Sequence, residues 1–280
     1  MFGYYGDFMS VIDKVINIPK QKLLFIHIAK TAGTSVNEFF ANYFGLDQML
    51  PNLQENPMWI NNPGRLFQDL KIRFISGHIS YAEFKEKVDI SDFLVVTCMR
   101  NPLAHIASHL LHFRILAEEK NRELFEVSSD EMKLVILRLA KLDFSSSEAI
   151  KHYLKNLTDQ ELLLFDNTQT RYLTNNFPLN ATGQRIGFKE VTPALRNLKK
   201  IDVVGDSCDI ESFLTAVSVR MGWPAPEDAP KVNVNNEKYG MDINNPAMVN
   251  ALWPFIRYDM ALYSQRTQFL CTSNSLMCQF

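Results

Sequence analysis

With 280 residues, 46 % hydrophobic and 21 % charged, the chain can bury a substantial core without disulfides or a structural metal. A formal net charge of −2 leaves no basic footprint and argues against a nucleic acid or a long polyanion as partner. The four cysteines form no CxxC pair, and no apolar run is long enough to span a bilayer.

Residues 1–22 read as an N-terminal extension without the basic and apolar segments of a signal peptide, so a cytoplasmic protein is expected. Residues 23–28 are a short run of strand formers. A glycine-containing turn at 29–33 then leads into a helix over 34–43, with Phe39, Phe40 and Tyr43 expected in the core. Asparagine and proline are frequent over 45–66, which reads as a long irregular loop. A second strand is expected at 72–75, ending at Ser76, Gly77 and His78, and a third at 93–98. The third is apolar almost throughout and suits a strand buried on both faces, with Cys98 as a buried free thiol. Pro102 is placed to open a helix over 103–117.

From 130 to 172 the pattern is helical, with Asp130 and then Ser146 or Ser147 as caps. A fourth strand at 201–204 precedes Gly205 and a helix over 210–221. Residues 223–230 break regular structure and 232–240 read as an exposed loop. Asn245 and Pro246 form a cap and first turn, and Pro254 interrupts the last helical stretch before a tail at 266–280. Strands alternating with helices predict an α/β fold with a P-loop-like central parallel sheet flanked by helices. The chain reads as one domain over 1–280, with a mostly helical insertion at 119–180. No feature sets an oligomeric state.

The strand-turn-helix around Lys30, Thr31, Ala32, Gly33, Thr34 and Ser35 presents backbone N–H groups and a helix N-terminus to an anion. Lys30 adds a full charge, Thr31, Thr34 and Ser35 add hydroxyl donors, and Gly33 permits a tight turn. This is no Walker A loop, because the lysine precedes the glycine and Phe25 stands where the first glycine would. A second cluster follows the third strand: Arg100 at its end and Ser108 two turns into the next helix can both reach one ligand. Ends of adjacent parallel strands share one sheet edge, so two anion sites face one crevice, which fits a nucleotide phosphorylated at both ends.

The segment from Phe25 to Ser35 resembles the 5'-phosphosulfate loop of sulfotransferases that use 3'-phosphoadenosine 5'-phosphosulfate (PAPS), and Arg100 to Ser108 resembles their 3'-phosphate motif. Residues 75–81 are similar to the Gly-His segment of the carbohydrate branch, which includes heparan sulfate 2-O-sulfotransferases and bacterial relatives; residues 203–206 and 259–263 also echo that branch. The resemblance spans 23–265 and implies transfer of a sulfuryl group from PAPS to an acceptor hydroxyl on a glycan, glycolipid or small alcohol, with 3',5'-ADP as product and no metal. It implies Lys30 and His78 as catalytic residues, and Lys30, Thr31, Ala32, Gly33, Thr34, Ser35, Arg100, Ser108 and Lys238 as nucleotide-binding residues. Lys238 and Tyr239 would close over the nucleotide, and a bacterial, cytoplasmic enzyme is expected. Ser76 stands where some relatives carry a second histidine, and Asn101 replaces the usual aspartate before Pro102.

Glu83 is a second candidate base on a solvated helix face, and His27 reads as a hydrogen-bonded core histidine. His105, His109 and His112 share a helix face that flanks the phosphate or acceptor site rather than binding a metal. Residues 169–172 end a helix and either face the crevice or are ordinary surface. Two other functions stay open: a P-loop nucleotide-dependent kinase, which needs Mg²⁺ and ATP, and a non-catalytic nucleotide-binding protein.

Overall fold

The structure, a computed structural model, describes residues 22–67, 71–174, 183–224, 226 and 240–266. Within them, five parallel strands form one sheet: β1 (Lys22–Ile26), β2 (Met49–Leu50), β3 (Phe74–Gly77), β4 (Phe93–Met99) and β5 (Val203–Asp206), in the spatial order β2-β3-β1-β4-β5. Helices flank this sheet, so the expected α/β class holds. Leu23 and Phe25 pack on one face of the sheet and Leu24 and Ile26 on the other, as the two-residue period of a strand dictates. All seven residues of β4 are buried, matching its unbroken apolar run.

One face is covered by α1 (Gly33–Phe44) and, after β5, by α12 (Ile210–Met221). Gly205 lies inside β5, where an added Cβ would sit 2.4 Å from the Phe213 ring, so the glycine lets α12 pack close. The other face carries α2 (Pro57–Asn61), α3 (Pro63–Leu66), α4 (Tyr81–Lys87), α11 (Phe188–Leu198) and α14 (Arg257–Gln265). Every element from Glu119 to Tyr172 is helical: a 3₁₀ turn, then α6 (Arg122–Glu126), α7 (Asp130–Ala140), α8 (Ser147–Lys155), α9 (Asp159–Phe165) and α10 (Thr168–Tyr172). Much of this stretch packs with α5 (Pro102–Leu116) and α13 (Pro246–Leu252) around a separate apolar cluster. No helix among the described residues is long and apolar enough to cross a membrane.

Several local expectations need correction. The stretch 45–66 is not one loop: it holds β2, two 3₁₀ turns, α2 and α3, with Asn56 and Asn62 accepting from the amides of Met58 and Arg65 and a proline opening each helix. Trp59 of α2 is fully buried and stacks on Phe84. β3 starts two residues later than expected, and β5 covers 203–206 rather than 201–204. Before β5, the Asp202 carboxylate and not a main-chain carbonyl takes the Val95 N–H, at 2.8 Å. Ser129 rather than Asp130 caps α7, Ser146 caps α8, and Tyr43 is half-exposed while Phe39 and Phe40 are buried. Residues 169–172 are not surface; all four are buried.

Candidate active site

The register of the three central strands brings the site together. Ile26 lies opposite Gly77 of β3 and Thr97 of β4, so His27, His78 and Arg100 leave neighbouring strand ends on one sheet edge. The chain crosses from β3 to β4 over β1, which makes this edge the place where open α/β sheets bind ligands. A cavity of about 800 Å³ opens there. Lys30, Ala32, Gly33, Thr34, Ser35, His78, Arg100 and Ser108 all line it, so eight of the ten site residues expected from sequence share one cavity.

The loop after β1 is built so that its carbonyls point inward. Thr31 Oγ1 donates to the Ile28 carbonyl at 2.8 Å, His105 Nε2 to Ala29 at 2.7 Å, and an Arg100 guanidinium nitrogen to Lys30 at 3.2 Å. The amides of residues 30–35 find no protein acceptor among the described residues. Lys30 and Ala32 adopt left-handed conformations, φ 65° and 70°, which costs a residue with a Cβ about 1–2 kcal/mol each. Alternating hands of this kind turn successive N–H groups toward one point, an anion-binding nest at the start of α1. α1 has neither a side-chain cap nor an acidic residue in its first turn, so its positive end is left for a ligand.

Two assignments change here. Thr31 is fully buried and spends its hydroxyl on the loop, so only its amide is offered to a ligand. Gly33 is required by a neighbour rather than by the turn: an added Cβ would lie 1.7 Å from His27 Nε2. Lys238 and Tyr239 lie outside the described residues, as does any closure over the site by 232–239.

Arg100 is positioned by residues of α10 and α14, two segments whose role the sequence leaves open. Gln169 of α10 holds its main chain from both sides, accepting from the Arg100 N–H at 3.0 Å and donating to its carbonyl at 2.8 Å. Asp259 of α14 in turn accepts from the amides of Gln169 and Thr170 at 3.2 and 2.7 Å. Asn101 caps α5 by accepting from Leu103 and Ala104 amides, so the change from aspartate leaves the cap intact. Ser108 follows on α5 at the cavity wall. Among the described residues neither Lys30 nor Arg100 forms an ion pair; burial first, then the Arg100 charge, lowers the pKa of Lys30. Asp206, whose charge reaches Arg100, is itself held by Arg266 at 2.8 Å and Tyr263 at 2.5 Å. Two cations in one cavity, neither ion-paired among the described residues, suit an anionic ligand.

His78 faces the same space as a neutral imidazole. Its Nδ1 lies 2.8 Å from the His27 carbonyl, which has no proton to give, so Nδ1 carries the hydrogen and Nε2 the lone pair. The Tyr172 hydroxyl stands 3.2 Å from the same Nδ1. Burial lowers the His78 pKa, partly offset by the bond to His27, which keeps the basic form at neutral pH. Glu83 instead pairs with Lys87 at 2.8 Å on α4 and is absent from the cavity wall.

Compared with known proteins, the chain matches no family model and no curated sequence.

His27 departs from expectation: its ring lines the cavity, lies 4.2 Å from the His78 ring, and leaves Nδ1 buried with no partner. His109 and His112 also line the wall, and His105 braces the loop. Lys30 contributes to lowering the pKa of all five of these histidines, which places the cluster around it. Among the described residues no group of three His, Cys, Asp or Glu is placed to hold a metal ion. The arrangement can bind a ligand with two separate anionic centres and take a proton from a group brought to His78 Nε2.

Proposed function

We propose that the chain is a sulfotransferase that moves a sulfuryl group from PAPS to an acceptor hydroxyl. The observation that carries the reading is the meeting of two cationic centres, Lys30 with its loop amides and Arg100 with Ser108, in one cavity beside the neutral base His78. The residues fit the nucleotide. The unpartnered amides of residues 30–35 suit the 5'-phosphate, and the Arg100 fork with the Ser108 hydroxyl suits the 3'-phosphate.

PAPS supplies an activated sulfuryl group on an anionic leaving phosphate. His78 Nε2 takes the proton of the acceptor hydroxyl as its oxygen forms the new bond to sulfur. Lys30 and the α1 N-terminus stabilise the electron pair left on the bridging phosphate oxygen as the old sulfur–oxygen bond breaks in line. Burial suits both residues: it keeps His78 neutral and places Lys30 where its charge is poorly screened. Gln169 and His105 do not touch the reacting atoms; they hold Arg100 and the loop in place.

The test is label transfer. Purified chain incubated with radiolabelled PAPS and a panel of neutral and anionic alcohols is expected to yield labelled organic sulfate and 3',5'-ADP. No transfer from PAPS, with phosphoryl transfer from Mg-ATP instead, would replace this reading by that of a kinase.

A further inference from the structure

Beyond the phosphate loop the cavity wall changes: along α5, Phe113 lies about two turns past His105, which braces the loop, and its ring meets Phe165 of α9. Phe113 of α5 and Leu163 and Leu164 of α9 line the cavity, together with His109 and His112. The cations in the described wall are Lys30 and Arg100, both committed to the nucleotide in the proposed function, on which this inference rests. Burial lowers the pKa of His109, and that of His112 to about 4, so neither supplies a cation at neutral pH. A sulfate or carboxylate on the acceptor would therefore meet no cation of its own in the described wall. An apolar body would instead cover the Phe113 ring and the two leucines.

We propose that the acceptor is an uncharged alcohol or phenol with an apolar body, seated against Phe113, Leu163 and Leu164 with its hydroxyl toward His78. The polar atoms left for it are imidazole nitrogens and the Thr168 hydroxyl; the latter already donates to the Leu164 carbonyl at 2.6 Å and so offers a lone pair to an incoming hydroxyl. Such a wall selects by shape and apolarity, with one or two hydrogen bonds fixing orientation.

The test uses the full chain saturated with 3',5'-ADP, titrated by calorimetry with 2-naphthol and, separately, with a sulfated disaccharide. The expected result is at least tenfold tighter binding of 2-naphthol. Leu163 packs in none of the three apolar clusters, so Leu163→Asn is expected to fold and bind 3',5'-ADP while losing at least fivefold in 2-naphthol affinity. Tighter binding of the disaccharide, or 2-naphthol binding indifferent to Leu163→Asn, overturns this inference and leaves the proposed function standing. Failure of 3',5'-ADP itself to bind overturns both.

Discussion

At Gly33 the phosphate loop and the His27 ring come so close that a Cβ would lie 1.7 Å from Nε2. Gly33→Ala must push either the ring or the loop aside, and the ring packs 4.2 Å from His78. The expected outcome is at least a tenfold loss of 3',5'-ADP affinity by calorimetry; unchanged affinity would show that the loop tolerates the shift. His78 makes a different prediction because it touches the acceptor and not the nucleotide. His78→Ala is expected to lower kcat by about 10²–10⁴-fold, the usual contribution of a general base. Its 3',5'-ADP affinity should stay within about twofold of wild type, and a parallel loss of both would point to a structural role. Since burial holds the His78 pKa below 6.5 and also lowers that of Lys30, the rate of the wild-type enzyme should be flat around neutral pH, fall on the acid side as His78 gains a proton, and fall on the alkaline side as Lys30 loses one.

Among the elements, the clearest case of a hidden support is α10. Its residues 169–172 read equally as crevice or as ordinary surface, yet all of them, and Thr168 before them, are buried. Their partners lie 60 to 90 positions away: Arg100 for Gln169, and Asp259 for the amides of Gln169 and Thr170. No local pattern carries such pairing, which is why the sequence left this segment undecided. Replacing Gln169 by leucine would strand the Arg100 N–H and carbonyl, at a cost of about 1–3 kcal/mol for a buried unsatisfied group. Gln169→Leu is expected to lower the urea midpoint and to weaken 3',5'-ADP more than 2-naphthol; an effect on stability alone would deny it a positioning role. By contrast β4, the Asn101–Pro102 start of α5, and α12 were legible because burial on both faces, a cap beside a proline, and a helical period each leave a local signature. The same cap-and-proline signature stood twice in 56–63, at Asn56 and Asn62, but the helices it opens are five and four residues long, too short for a periodic pattern to support it. β2, with two residues, is shorter than any period-two signal.

For the whole molecule, the histidine cluster around Lys30 makes stability depend on pH. Burial lowers the pKa of His27, His78, His105, His109 and His112, and brings His105 and His112 to about 4. The unfolded chain protonates these groups near 6.5 while the folded chain does not, so stability present above pH 6.5 is lost as pH falls toward 4. Each group contributes a slope of at most about 1.4 kcal/mol per pH unit between its two pKa values. Asp259, raised to about 7 by burial, acts in the opposite sense: the folded state holds its proton longer, so its contribution is greatest at low pH and is lost as pH rises through 7. Five groups outweigh one, and the urea midpoint at pH 5 is expected to lie well below that at pH 7.5; equal midpoints would mean that the histidines are not buried neutral.

The α/β class and the sheet edge were legible at this scale, since alternating strands and helices and the two cationic motifs were local facts of the sequence. The apolar far wall was not, because Phe113, Leu163 and Leu164 come from helices whose mutual packing no spacing reveals.

The central claim, a cavity that binds a nucleotide phosphorylated at both ends, is tested most directly by thermal unfolding of the wild-type chain and Arg100→Ala with 3',5'-ADP, 5'-ADP or Mg-ATP. At 100 times its dissociation constant, 3',5'-ADP should stabilise wild type by about 2.7 kcal/mol, with little effect from the other two and with most of the gain lost in Arg100→Ala. Stabilisation by Mg-ATP with none from 3',5'-ADP would contradict the account.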